Sequence, residues 1–124
     1  MSSISNSQPN PLVSKSFNFS LQIVRICQQL QSGNNFVFAN QLLKSGTSIG
    51  ANIREAQSSE SRADFIHKLK IASKEAHETE YWLLLLRESG ILIPEEIVFE
   101  NLLEVQKILT KSIVTAKSKV TLSK

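Results

Sequence analysis

From Val13 to Ser32 the apolar residues return every three or four positions. Phe19, Ile23, Ile26 and Leu30 form one stripe, and Val13, Phe17, Val24 and Cys27 a second beside it. That spacing predicts a helix with a broad apolar face, and Gly33-Asn34-Asn35 ends it. A second helix is predicted from Phe36 to Gln57, with Phe38, Leu42, Ile49 and Ala56 on one stripe. Ser58 to Ser61 interrupts it, and Ser61 with Asp64 resembles a capping pair for the next helix. That third helix runs to about Ser89. Its seam is Phe65, Leu69, Ala72, Ala76, Thr79, Leu83 and Leu86, stepping alternately by four and three as in a coiled coil. Gly90 suits the position just past its end. Pro94 with Glu95 and Glu96 opens a fourth helix, whose seam is Leu102, Val105, Leu109, Ala116 and Val120.

Alternation of period two, the mark of a half-buried strand, is absent over any useful length. Short joints between long helices make sequence neighbours antiparallel. The expected fold is therefore all-α, an antiparallel up-down-up-down four-helix bundle over residues 13–118. Residues 1–12, rich in Ser, Asn and Pro, are expected to be a flexible N-terminal segment, and 119–124 a flexible C-terminal tail. A chain of 124 residues, 41% of them hydrophobic, is long enough for one domain with a real core.

The stretch Lys44 to Ala56, KSGTSIGANIREA, tests whether this is a phosphate-binding protein. A phosphate loop needs Gly-x-x-x-x-Gly-Lys-Ser/Thr after a strand. Here Gly46 and Gly50 are one residue too close, and Ala51 and Asn52 stand where Lys and Ser/Thr belong. Ala39, Leu43, Gly46, Gly50 and Ile53 instead share one helical face. Each glycine inside that face costs about 1 kcal/mol against alanine. Close approach of another backbone, with its dispersion gain, offsets such a cost. Ser45 and Asn52 fall at core-type positions on the adjoining seam, where a buried polar residue can fix register or oligomeric state.

Candidate chemistry is sparse. Cys27 is the only cysteine and lies among apolar residues; with two histidines, a zinc site built by this chain is not expected. A di-iron bundle needs Glu-x-x-His on two helices, and neither His67 nor His77 is so placed. No nucleophile–base set is visible, so no enzyme, cofactor, metal or catalytic residue is expected. Glu75 and Glu78 share a stripe with Ile71, Trp82 and Leu85, and Glu55 lies on the second helix. These acids fit a polar layer or a subunit contact, with Arg25, Lys44 and Arg54 as candidate partners.

Net charge is +3, mildly basic. The fourth helix has Glu95, Glu96, Glu100 and Glu104 first and Lys107, Lys111, Lys117, Lys119 and Lys124 after, the order that a helix dipole favours. The outer face of the third helix presents His67, Lys70, Lys74 and Tyr81, with Arg62 and Lys68 nearby. Arg62, His67, Lys70, Lys74, Lys107, Lys111 and Lys117 are therefore the candidate nucleic-acid contacts. With no apolar run of membrane-spanning length and no secretion leader, a cytoplasmic protein without membrane contact is expected.

The segments QLLKSGTSIGANIREA and SRADFIHKLKIASKEAHETEYWL, within Gln41 to Leu83, closely resemble the four-helix-bundle proteins of the 23S rRNA intervening-sequence family. The family pattern, roughly Q-L-x-R/K-S-x-x-S-I-x-x-N-I-x-E-A and then F-x-x-x-L-x-I-A-x-x-E-x-x-E-T-x-Y-W-L, is matched nearly throughout. The resemblance implies an antiparallel bundle, and similarity to the accessory proteins of diversity-generating retroelements. Those assemble as homopentamers that engage a reverse transcriptase and nucleic acid. No catalytic residue carries over. Ser45, Gly46, Gly50, Asn52, Glu55, Glu75, Glu78, Tyr81 and Trp82 are expected to serve packing and assembly. The expectation is a non-enzymatic homo-oligomer, a pentamer, binding structured RNA or DNA through basic patches. The alternative is an adaptor that holds a protein partner, such as a reverse transcriptase, with no nucleic-acid role.

Overall fold

The computed structural model describes residues 10–122, and these form four helices and no strand. They are α1 (Pro11–Ser32), α2 (Phe36–Ala56), α3 (Arg62–Ser89) and α4 (Glu96–Leu122). Each helix packs on its neighbours in sequence, α4 closes against α1, and the two diagonal pairs make no contact. Contacts between successive helices run in opposite order. Ile23 meets Gly46 while Ser16 meets Gly50; Phe38 meets Trp82 while Glu55 meets Lys68. This is the contact pattern of an antiparallel bundle.

Two helices are longer than expected. α1 begins at Pro11 because Asn10 caps it: the Asn10 carboxamide oxygen accepts from the Val13 N–H at 3.3 Å. Proline suits the first helical position, where its missing N–H costs nothing. Asn10-Pro11 is thus a helix start, not part of a tail. α4 continues to Leu122, four residues beyond 118, so the expected C-terminal tail is helical over most of its length. Residues 1–9 and 123–124, the rest of the expected flexible segments, lie outside the described residues.

Ser61 caps α3, accepting from the Asp64 N–H at 3.0 Å. Gly90 ends it with φ 76°, a left-handed conformation that a Cβ would strain. At the first joint that conformation falls to Asn34, with φ 64°, a residue that tolerates it. Pro94 sits just outside α4, buried, and Glu96 opens the helix.

The α3 seam is buried from Leu69 to Leu86, with Phe65 half-buried at its start. Leu102, Val105, Leu109 and Ala116 of α4 are buried as well; the Val120 side chain is outside the description. Phe19, Ile23, Ile26 and Leu30 of α1 are buried as expected, and so is Cys27 of the second stripe. The core stripe of α1 runs Leu12, Ser16, Phe19, Ile23, and Phe17 is 52% exposed. A step of one residue turns a side chain by about 100°. The Val13–Phe17–Val24 stripe therefore lies beside the core seam, along α2, and is only partly covered.

The question of which neighbour the glycines meet has a clear answer. A Cβ on Gly46 would stand 2.7 Å from Ile23 Cγ2, and one on Gly50 would stand 3.2 Å from Ser20 Oγ. The close neighbour is α1 of the same chain. Across the core, the Thr79 hydroxyl lies 3.0 Å from the Ser45 hydroxyl and 2.8 Å from the Glu75 carbonyl. Ser45 also reaches the Leu42 carbonyl at 3.4 Å. The two hydroxyls satisfy one another inside one subunit. Asn52 does not join them. It is half-buried, and its amide donates to the Ser48 carbonyl of its own helix at 2.9 Å.

Candidate nucleic-acid interface

The basic residues of α3 and α4 come together because the two helices cross in opposite directions. At one end of their contact the Arg87 guanidinium lies 5.0 Å from the centre of the Phe99 ring. At the other, Lys70 and Lys117 meet. The hydrogen bond from Lys70 and then its charge hold Lys117 below the ordinary lysine range. Two amines so placed repel each other as ammonium groups, and a bridging anion relieves that repulsion.

Beyond this pair, where α3 starts and α4 ends, lies an open groove of about 330 Å³. Arg62 and Phe65 form one side, and Lys111, Ser112, Thr115 and Lys119 the other. On α4, Lys111, Thr115 and Lys119 are successive positions at four-residue spacing, so they stack on one face. The groove combines guanidinium, ammonium and hydroxyl groups with an aromatic wall, the donors that a phosphate backbone and an unstacked base require.

Of the seven expected contacts, Arg62 and Lys111 line this groove, and Lys70 and Lys117 form the pair. His67 and Lys74 are exposed on α3, and Lys107 is exposed on α4; none of the three lines the groove. Lys119, counted with the basic end of the fourth helix, was left out of the expected contacts because 119–124 was taken as a tail. Carrying its four-residue spacing one turn further would have found it. The α2/α3 side of the same bundle end is mixed in charge. There Arg54 and Lys68 stand among Glu55, Glu60 and Asp64, and Lys68 pairs with Glu55 at 2.9 Å. The Glu55 carboxylate raises the Lys68 pKa, first by hydrogen bonding and then by charge.

The remaining expected positions sit elsewhere. Trp82 is half-buried. Its indole N–H donates to the Glu78 carboxylate at 3.2 Å, and its ring packs edge-on to Phe38 and Tyr81, with centroids 6.2 and 5.2 Å away. Tyr81 is 57% exposed. Glu75 is half-buried, and no base pairs with it or with Glu78 among the described residues. Arg25 lines a cleft on the α1/α4 side, and Arg54 lies at the α1/α2 groove. Arg25 is thus on another side of the bundle, and Arg54 stands at the end of α2, where it also faces Glu55, Glu60 and Asp64. Among the described residues, no cluster of three or more His, Cys, Asp or Glu is placed to hold a metal, and no helix is long and apolar enough to cross a membrane.

Four long helices, a single apolar core and a basic groove at one end define an all-α bundle protein. The model of the 23S rRNA-intervening sequence protein family matches residues 10–112, and the chain belongs to that family. A solved structure from Bacteroides thetaiotaomicron, described as a protein with unknown function from the S23 ribosomal protein family, is 47% identical. It covers 82% of this chain and 97% of its own, with a TM-score of 0.79. No curated protein matches the sequence.

Proposed function

We propose that this chain is a non-enzymatic, oligomeric bundle protein of the cytoplasm that binds structured RNA or DNA through the basic end of α3 and α4. The observation that carries the reading is the groove in which Arg62 and Phe65 of α3 face Lys111 and Lys119 of α4, with Lys70 and Lys117 one to two turns away. The cations that line this groove come from two helices. A polyanion that bridges them gains contacts and releases condensed counterions. Assembly as a homopentamer multiplies the patch, and avidity compensates for a modest charge of +3 per subunit.

Fluorescence anisotropy with a labelled structured RNA tests this. Binding is expected at low salt, weakening linearly on a log–log plot of affinity against salt. Exchanging Lys70 and Lys117 together for glutamate is expected to flatten that slope by about two. Folded, assembled protein that fails to bind RNA or DNA at low salt refutes the reading.

A second reading is favoured by the opposite end of the bundle. Ile91, Ile93 and Ile97 are exposed by 41, 68 and 47% around the α3–α4 joint. An adaptor would hold an apolar protein surface there, and the resemblance to retroelement accessory proteins makes a reverse transcriptase one candidate. Under this reading a partner survives nuclease treatment in a pull-down, is lost on Ile93→Asp, and is kept when Lys70 and Lys117 are exchanged.

A further inference from the structure

The groove between the start of α3 and the end of α4 has an aromatic wall as well as cations. Arg62 and Phe65 lie one turn apart on α3 and line one side. The Phe65 ring is half-buried: it packs against the core and still lines the groove. Lys111 and Lys119 are eight residues apart on one face of α4, so their Cα atoms stand about 12 Å from each other, with Thr115 midway. Cations thus run along one wall, and an aromatic surface stands opposite.

No acidic side chain lines this groove, and Arg62, Lys111 and Lys119 have no ion-pair partner among the described residues. The acids at this end of the bundle, Glu55, Glu60 and Asp64, line the neighbouring α2/α3 side, and those of α4 stand in its first half. The hydroxyls of Ser112 and Thr115 make no hydrogen bond within the subunit, among the described residues, whereas Thr110 donates to the Gln106 carbonyl at 3.0 Å.

At about 330 Å³ the groove is at the small end of the range for small-molecule sites, about 300–1,000 Å³. A duplex keeps its base faces inside the stack, so it would meet the lysines through its phosphates and leave Phe65 without a partner. An unpaired nucleotide exposes a phosphate and a base face together.

We infer that this groove takes one unpaired nucleotide of the bound RNA, with flanking phosphates on Lys111 and Lys119, the base against Phe65, and Arg62 closing the α3 side. This rests on the nucleic-acid reading above and deepens it by naming what is recognised: a loop, a bulge or a frayed end, not a paired stem. Every base has a face that stacks, so the site selects the state of the strand and not its sequence.

Fluorescence anisotropy with two labelled RNAs of equal phosphate count tests the assignment, one a hairpin with an unpaired uridine loop and the other a fully paired duplex. Circular dichroism verifies the fold of each variant. Wild-type protein is expected to bind the hairpin at least about fivefold more tightly, the low end for stacking one base on an aromatic side chain. Phe65→Leu keeps an apolar side chain against the core and removes the ring. It is expected to abolish the preference while leaving duplex affinity and salt dependence unchanged, and Phe65→Tyr, which keeps the ring, is expected to retain it. Lys111→Gln and Lys119→Gln are each expected to lower the salt slope by about one. Equal wild-type affinity for the two RNAs, or a Phe65→Leu protein that retains the preference, overturns the nucleotide site and leaves the nucleic-acid reading standing. Lysine variants with an unchanged slope overturn the phosphate contacts. Folded protein that binds neither RNA nor the corresponding DNAs at low salt overturns both readings.

Discussion

Gly46 and Gly50 look equivalent in the sequence, and the fold makes them differ. Replacing either by alanine improves helix propensity by about 1 kcal/mol. The cost of the new methyl depends on what it meets. At Gly46 it would stand 2.7 Å from Ile23 Cγ2 and 2.9 Å from Cγ1. Ile23 is fully buried, and a β-branched side chain is held in one χ1 well in a helix. Neither carbon can swing aside, so the helices must separate or Ile23 must leave its rotamer. Overpacking of this kind costs about 1–3 kcal/mol. Gly46→Ala is therefore expected to lose about 1 kcal/mol net. At Gly50 the first contact is Ser20 Oγ at 3.2 Å, and the next, the Ser16 carbonyl, is 3.4 Å away. Ser20 bonds to that same carbonyl at 3.0 Å, and its hydroxyl can shift by the few tenths of an ångström required. Gly50→Ala is expected to be neutral or to gain up to about 1 kcal/mol. Urea unfolding followed by circular dichroism should separate the two variants by about 2 kcal/mol with unchanged m-values. Protein concentration must be held fixed, so that any self-association contributes equally to both variants. A Gly46→Ala protein as stable as Gly50→Ala would refute the claim that α1 packs hardest on Gly46.

Gly50→Leu should cost about 1–3 kcal/mol by overpacking in the same unfolding assay, since a Cβ there already stands 3.2 Å from Ser20 Oγ and the larger side chain must push α1 away. Thr79→Val and Ser45→Ala should be coupled by about 1 kcal/mol in a double-mutant cycle, since each hydroxyl partners the other. Loss of the α3 cap in Ser61→Ala should cost about 1 kcal/mol in the same unfolding assay. Burial pushes the Cys27 thiol from 9.0 up to about 11. The folded protein then keeps a proton that the unfolded chain releases. Its stabilising effect is complete below about pH 9 and is lost as pH rises toward 11. Cys27→Ala should flatten the fall in stability over that window, and a thiol reagent at pH 8 should label Cys27 only at the unfolding rate.

Much of the fold was legible because the chain repeats one signal. Seven seam positions of α3 keep alternating four- and three-residue steps, and every one from Leu69 to Leu86 is buried. Breakers fall where helices end, and Gly90 adopts the left-handed conformation its position implied. The misread positions have specific causes. Phe17 was placed with Cys27 on a second stripe of α1, yet Cys27 is buried and Phe17 is 52% exposed, because Leu12 and Ser16 continue the core seam at that end of the helix. Ser16 carries no hydrophobic signal at all. Asn10-Pro11 was read by composition as a tail, although the same pair is a cap followed by a first-turn proline.

The basic surface was harder to read than the core, and for a physical reason. Periodicity gives the direction of a side chain about its own helix axis, but not which helix stands next to it or at what height. Lys70 and Lys117 are 47 residues apart in sequence, and only the α3–α4 crossing makes them neighbours. The same limit misplaced the acids. Arg25 and Arg54 suited Glu75 and Glu78 by charge, and neither forms an ion pair with them: the fold sets Arg25 on the α1/α4 side and Arg54 at the end of α2. For Arg25 that ends the matter. Arg54 stands among nearer acids, Glu55, Glu60 and Asp64, and Lys68 takes Glu55 as its partner. Charge complementarity in the sequence thus names candidate partners, whereas the height of each side chain along its helix and the helix beside it decide which pairs form, as Glu55 and Lys68 do at 2.9 Å.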